Sequence, residues 1–342
     1  MLTKRKQDIL KAIVTEYIGS AIPVPSETIA RKYNLNVSTA TIRNEMSLLE
    51  QEGYIGKPHT SAGSVPLDIG YRYYVESLLD VKELPSEEQF LIQHLFHQVE
   101  RHLDEWTRLA AAILSRMVRN AAVVTMAKAP RCRFRQVELV SIQQYMSLLV
   151  LVLNEAKIKQ QFITFDTPLT QEDLWVVSNK LNRACSNSNY LEIIGLQQEL
   201  SSIEKQVMSV IASLMKMEDT LEYAEPYLSG IRHILSQPEF NGAERRSSLL
   251  EVLEDKSVVK ILMPKMGREE GVKIIIGDQS NEESIRDCSI VISRYGVPEV
   301  MSGLLGVLGP MRMRYDYTVA TVRYICSLLS GLVSELHEQH RN

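Results

Sequence analysis

The residues at 37–60 carry the most legible chemistry in this chain of 342 amino acids. They read Val-Ser-Thr-Ala-Thr-Ile-Arg-Asn-Glu-Met-Ser-Leu-Leu-Glu-Gln-Glu-Gly-Tyr-Ile-Gly-Lys-Pro-His-Thr. Ser38 suits a helix N-cap, because its hydroxyl can accept from a free amide of the first turn. Ile42, Met46 and Leu49 then recur at helical spacing as a buried stripe. At about 100° per residue, Ala40, Arg43, Asn44 and Ser47 share the opposite face. A guanidinium there can bond guanine bidentately, and an amide can do the same for adenine. Ala40 is small enough to meet a thymine methyl, and Ser47 can bond base or backbone. Thr39 and Thr41, with Ser38 beside the helix N-terminus, suit phosphate. Two plainer roles compete: Thr41 holding the first turn, and Arg43 pairing with Glu45 or Glu50.

The surrounding elements must present that face. Ile9, Leu10, Ile13, Val14 and Tyr17 make one apolar face of a first helix, ended by Gly19. The run Ile22-Pro23-Val24-Pro25 cannot continue it, since proline lacks the amide and fixes φ. Ser26 is expected to cap a short second helix with Ile29 and Ala30 inward. Gly53 closes the third helix, Tyr54 and Ile55 start a strand, and Val65-Pro66-Leu67 return as its partner. In the loop between them, Lys57, His59, Thr60 and Ser61 are candidate contacts to the DNA backbone or minor groove. For His59 a solvated loop is the alternative. Helix, short helix, turn, capped helix and hairpin follow the order of a winged helix-turn-helix that reads a major groove.

Charge bears on the same question. The net charge is −4, yet residues 1–75 hold nine Lys/Arg against seven Asp/Glu. Only this part is basic, and mildly so. Phosphate neutralisation supplies much of DNA affinity, so one copy should bind weakly and a dimer that doubles the footprint is expected.

Further along, Tyr71, Tyr74, Val75, Leu78 and Leu79 trace a helix leading away from the hairpin. Residues 81–86 read as a polar linker, with Ser86 capping one long helix over 87–120. Strands are expected at 134–142, 145–153 and 158–165, joined by hairpin-length turns into an antiparallel meander. Helices follow near 171–184, 195–200, 201–217 and 220–227. Short strands at 258–263, 272–276, 289–293 and 304–308 precede a last helix at 316–338. If 122–126 joins them, the sheet is antiparallel, with the long helix and the last helix on one face. The fold class is therefore multi-domain α+β: 1–85, then 86–130 with 231–342 as one domain in two segments, and 131–230 inserted within it.

An apolar fraction of 45% supports sizeable cores. Cys132, Cys185, Cys288 and Cys326 lie far apart, as reduced thiols do in a cytosolic protein. No signal peptide is evident, and the longest unbroken apolar run, 148–153, is too short to cross a bilayer. A soluble cytoplasmic protein is expected. His94 and His97 share a helix face without a completing ligand, the glycine-rich run 303–309 lacks the Lys-Ser/Thr ending of a phosphate loop, and no base accompanies Cys288. No catalytic residue, metal or cofactor is expected. Arg312 and Arg314 suit a dimer contact, a contact to the DNA-binding part, or a solvated turn.

Several segments together resemble the HrcA family of bacterial heat-shock repressors. They are Val37 through Met46, His59-Thr60-Ser61-Ala62-Gly63, Gly70-Tyr71-Arg72-Tyr73-Tyr74-Val75, Gln237-Pro238-Glu239-Phe240, Ile276-Gly277-Asp278, and Gly306 through Tyr315. The resemblance implies a winged helix, a GAF-like domain and a dimerising domain inserted within it. It implies a non-enzymatic homodimer on the inverted repeat called CIRCE, upstream of chaperone operons. It also implies that temperature and the GroEL chaperonin modulate activity. A regulator that senses a small molecule through the GAF-like domain is the alternative. Ser64 and Ile69 stand where the family usually carries arginine and lysine, which implies weaker or less salt-dependent operator binding.

Overall fold

The computed structural model describes residues 2–59, 62–78, 80–99, 102–129, 131–154, 157–196, 200–220, 226–254, 271–280, 283–298 and 300–339. It is α+β, as the sequence implies, and divides into two compact units: 1–127 with 225–342, and 128–224.

The first unit opens with α1 (Lys4–Ser20), α2 (Ser26–Lys32) and α3 (Thr39–Gln51), then a hairpin of β1 (Ile55–Gly56) and β2 (Val65–Pro66). Thr3 caps α1 through the Lys6 amide, and Ser38 caps α3 through the Thr41 amide at 3.1 Å. The first helix runs one residue past Gly19 and ends on Ala21, which is left-handed at φ 55°. Ser26 is not a cap, nor is Ser86. Each is the first residue of its helix, and the cap positions are Pro25 and Pro85, which make no side-chain cap bond. Proline's fixed φ ends the extended segment one residue earlier than the serine signal suggests.

After β2 come α4 (Asp68–Tyr73), continued as a π turn over Tyr74–Leu78, α5 (Ser86–His97) and α6 (Leu103–Val118). The single helix expected over 87–120 is therefore two helices. His102 is extended at φ −121° and ψ 134°, and Asp104 and Glu105 fill the first turn of α6. Those carboxylates suit a new N-terminus, where they face the positive end of the helix dipole. Nor is 81–86 simply polar linker, since Leu84 is buried.

The large sheet has the order β7-β3-β10-β9-β8 and is antiparallel throughout. Its strands are β3 (Ala121–Thr125), β7 (Pro226–Ser229), β8 (Val272–Ile276), β9 (Cys288–Val297) and β10 (Met301–Pro310). Ala122, Val124, Leu305, Val307 and Val291 share one core with α6 and with the last helix, α12 (Tyr315–Gln339). That is the expected two-helix face. Pro226 and Tyr227 belong to β7, not to the end of a helix, because they pair with Thr125 and Val124. Two elements lacked a clear sequence signal, α10 (Ile231–Leu235) and α11 (Ala243–Glu254). The strand expected at 258–263 lies outside the described residues. By length and composition α12 could cross a membrane. Here Val319, Val322, Ile325, Leu329 and Val333 are buried in the shared core, as in the core helix of a globular unit.

The second unit holds the expected meander, β4 (Phe134–Gln143), β5 (Met146–Leu153) and β6 (Ile158–Thr164). One face packs on α7 (Gln171–Cys185), α8 (Tyr190–Gly195) and α9 (Ser202–Thr220). The helix expected at 195–200 begins earlier, because Asn189 and Glu192 form a capping box. A buried carboxylate ties the end of α9 to the sheet. Glu218 meets Lys157 at 3.0 Å and Lys159 at 2.7 Å, and Lys128 lies 3.7 Å away. Burial alone would raise this carboxyl, but the lysines outweigh it and hold it at about 2, below its ordinary 4.5. Lys159 and Lys157 contribute most of that lowering and Lys128 less, and burial pushes Lys128 itself down more than Glu218 holds it up.

Glu218→Gln is expected to destabilise the protein by roughly 3 kcal/mol, the order seen when one partner of a buried ion pair is removed. The wild-type advantage should be complete above pH 4.5 and fade as pH falls toward 2. Urea melts at neutral pH and at the acid end check both; equal loss at each would contradict the account.

Candidate nucleic-acid interface

The candidate site is built on α3. Its inner stripe, Ile42, Met46 and Leu49, is buried in the same core as Ile9, Leu10, Ile13 and Ile29. That packing fixes the rotation of the helix about its axis. Ala40, Arg43, Asn44 and Ser47 are consequently exposed side by side, as the wheel requires. Thr39 and Thr41 are half-buried at the N-terminal end. The Thr41 hydroxyl lies 2.9 Å from that of Ser38, so this pair closes the first turn as well as facing outward. A cap of this kind contributes about 1 kcal/mol.

Arg43 has an ion-pair partner, but not the one its neighbours in sequence suggest. Its guanidinium donates to Glu27 of α2 at 2.7 Å. Glu45 instead meets Arg5 at 3.5 Å, and Glu50 meets Lys57 at 2.8 Å. On α3, residue 45 points to the other side of the helix and residue 50 lies two turns further along, about 10 Å away, whereas Glu27 on α2 is beside Arg43. The Glu27 carboxyl is lowered by its own backbone amide and then by Arg43. Both side chains are more than 60% exposed, so the pair is weak and can open toward a ligand.

This pairing is general around the site. Lys4, Lys6 and Lys32 face Asp8, Glu52 and Glu16, in addition to the pairs of Arg5, Arg43 and Lys57. An incoming phosphate must displace carboxylates rather than water alone. Glu27 is thus a partner of Arg43 that sequence spacing could not show, because sixteen positions separate the two.

Lys57 and His59 are exposed on the hairpin loop; Thr60 and Ser61 lie outside the described residues. The loop returns tightly over the α1–α2 connection. Ser64 and Val24 exchange backbone hydrogen bonds of 2.8 and 2.9 Å. A Cβ on Gly63 would fall 2.5 Å from the Val24 carbonyl carbon, so only glycine allows this approach. Ser64 is 1% exposed, which corrects one expectation: this position does not present a side chain to phosphate. Ile69, 49% exposed, is left as the place where a cation would face outward. The structure also adds Leu48, exposed on the flank of the α3 outer face, where an apolar group can meet a thymine methyl.

The cysteines have no reactive setting. Burial pushes all four thiols up, Cys132 to about 12 and Cys185 to about 11, with Cys288 and Cys326 raised as well. Such thiols are poor nucleophiles at neutral pH. Among the described residues no group of His, Cys, Asp and Glu is arranged to hold a metal ion.

A capped helix with a polar outer face, followed by a hairpin and mounted on a larger α+β body, has the form of a transcription regulator. The comparisons agree. The profile of the HrcA protein C-terminal domain matches residues 104–319. The heat-inducible transcription repressor HrcA of Dehalococcoides mccartyi is 43% identical over 337 residues, spanning 98% of this chain and 97% of its own. That of Roseiflexus castenholzii is 40% identical over 344 residues, spanning 98% and 96%. A crystal structure titled only as a hypothetical protein covers 98% of both chains at a TM-score of 0.59 and 24% identity, a likeness of fold. The chain belongs to the HrcA family of heat-inducible transcription repressors. Those relatives are named as repressors and not as enzymes.

Removing the competitor of Arg43 should strengthen DNA binding. Glu27→Gln is expected to raise affinity about two- to fivefold, the scale of one exposed ion pair. Fluorescence anisotropy on a labelled duplex reads it, and unchanged or weaker binding would argue that Arg43 does not meet DNA.

Proposed function

We propose that this chain represses heat-shock operons as a homodimer on the CIRCE inverted repeat, each subunit laying α3 in a major groove. On this reading the first three helices and the hairpin are a winged helix-turn-helix. The observation that carries it is the exposed row Ala40, Arg43, Asn44 and Ser47, held outward by the buried stripe behind it. Arg43 and Asn44 read bases, Ala40 and Ser47 support them, and Ser38, Thr39 and Thr41 anchor phosphate beside the helix N-terminus. Lys57, His59, Thr60 and Ser61 form the wing contact. The cytoplasm is the compartment where such an operator and these protonated thiols belong.

The five-stranded sheet with α6 and α12 is read as the GAF-like domain, and 128–224 as the inserted dimerising domain. What supports the second assignment is the uncovered face of the meander. Val140, Leu148 and Phe162 align across its three strands, and Val152 pairs with Ile158 two rows on, past the row of Glu138, Val150 and Gln160. Val140, Ile158 and Phe162 are 43%, 59% and 61% exposed. An apolar sheet face of this kind is covered in a stable protein, and a second copy offers a matching surface. Before pairing, the same face gives the GroEL chaperonin something to bind. Heat would then act by shifting the balance between paired and captured subunits, for which a few kcal/mol suffices.

A cleft of about 360 Å³ lined by Val272, Ser293, Tyr295, Gly296, Cys326 and Ser330 favours a second reading, a small-molecule sensor. Ligand-dependent stabilisation in a thermal-shift screen would support that alternative.

Arg43→Ala with Asn44→Ala should abolish the preference for a CIRCE duplex over a scrambled one. Each lost bidentate contact costs about 1–3 kcal/mol of discrimination. A mobility-shift assay in which the double variant still prefers the repeat would refute the reading. Phe162→Asp should shift the chain to monomer in sedimentation and weaken the inverted repeat far more than a half-site. A dimer that survives would place the interface elsewhere.

A further inference from the structure

Three segments far apart in sequence gather beside α4, all within the first unit. They are the turn at Gln237 and Pro238–Phe240, the turn at Gly277 after β8, and the turn at residues 311–314 after β10. Tyr71 of α4 and Tyr315 of α12 are both buried, with ring centroids 6.4 Å apart. The Tyr315 hydroxyl donates to the Met311 carbonyl at 2.7 Å and lies 2.7 Å from the Ser289 hydroxyl. At Gly277, which is left-handed at φ 55°, an added Cβ would fall 2.2 Å from a carboxylate oxygen of Asp68. The start of α4 therefore rests directly on that backbone.

Arg312 forms the floor of this seat. Its Nη2 donates to the Gln237 side-chain oxygen at 2.7 Å, and its Nε donates to Glu239. The two charged side chains are only 15% and 23% exposed. The phenols of Tyr17 on α1 and Tyr71 on α4 are both raised, by burial first and then, at Tyr17, by Glu239, with Arg312 opposing. This ion pair fixes the turn whose Met311 carbonyl holds the Tyr315 hydroxyl, and the Tyr315 ring packs against Tyr71 of α4.

We propose that Arg312 is a positioning residue for operator recognition, fixing the 311–314 turn to Glu239 and Gln237 so that Tyr315 holds α4 on the sheet and α3 keeps a set angle in each subunit. The inference rests on the dimeric DNA reading above. Two half-sites can be engaged together only if both reading helices are held at the spacing of the grooves. A loosened seat leaves each helix competent and lowers the effective concentration of the second one after the first has bound. Arg312 touches no DNA in this scheme, so its loss should be felt only where two half-sites are present.

The experiment uses the full chain, titrated by anisotropy against a duplex carrying the CIRCE inverted repeat and against one half-site. Arg312→Ala is expected to weaken the full repeat about tenfold or more and the half-site less than twofold. The reversed pair, Arg312→Glu with Glu239→Arg, should recover much of the loss. Gly277→Ala, which displaces Asp68, should reproduce the Arg312→Ala pattern, and it decides the matter if Arg312→Ala does not fold. Equal weakening on both duplexes, no weakening on the full repeat, or a folded reversed pair no better than Arg312→Ala would overturn the inference. If the unaltered chain distinguishes neither duplex from scrambled DNA, the DNA reading itself fails and the inference falls with it.

Discussion

The burial of one stripe on α3 is the constraint on which the candidate site depends. Ile42 and Leu49 are fully buried against α1 and α2, and Met46 nearly so. Burying such side chains is favourable by about 1.5–3 kcal/mol each. A rotation of α3 by one residue would expose them and turn Asn44 and Arg43 aside. The polar row needs no interaction of its own to face outward; it is what the core leaves over. Ser38 sets where the helix begins, and the Gly63 approach to Val24 sets how closely the hairpin loop folds back.

Around this frame, charge is arranged in opposed pairs rather than as a bare basic patch. Exposed pairs contribute little to stability, since water screens them and the side chains lose freedom in forming them. Their consequence is for binding. Each carboxylate beside a cation lowers the return from a phosphate contact, and on the proposed reading this would leave one copy weakly bound to arbitrary DNA. On the proposed dimeric reading, specific binding comes from engaging two sites at once. On that reading the uncovered face of the meander would join copies, and the seat around Arg312 would keep the reading ends aligned.

The two cores are built differently. In the first unit a sheet, two long helices and the N-terminal helices share one continuous core, so the reading end is not a free appendage. In the second, α7, α8 and α9 cover one face of a three-stranded sheet and leave the other open. The buried carboxylate of Glu218 secures α9 to that thin layer, where the apolar contact area alone is limited.

Local patterns in the chain determined much of this. The Ser38 cap, the 42–46–49 stripe, the outward row, the hairpin, the three strands of the meander and the last helix all follow from period and capping, which depend on near neighbours alone. Helix ends at Pro25 and Pro85, the break between α5 and α6, and the strand at Pro226–Ser229 were less legible. Their signals are weak locally and are decided by what pairs with them, as Val124 and Thr125 do for β7. Partners distant in sequence were out of reach altogether. That Arg43 meets Glu27, that Ser64 is buried under Val24, and that Arg312 meets Glu239 are facts of packing between separate elements. Only the tertiary structure could choose among the carboxylates available to each cation, because that choice is one of distance and direction, and the order of residues carries neither.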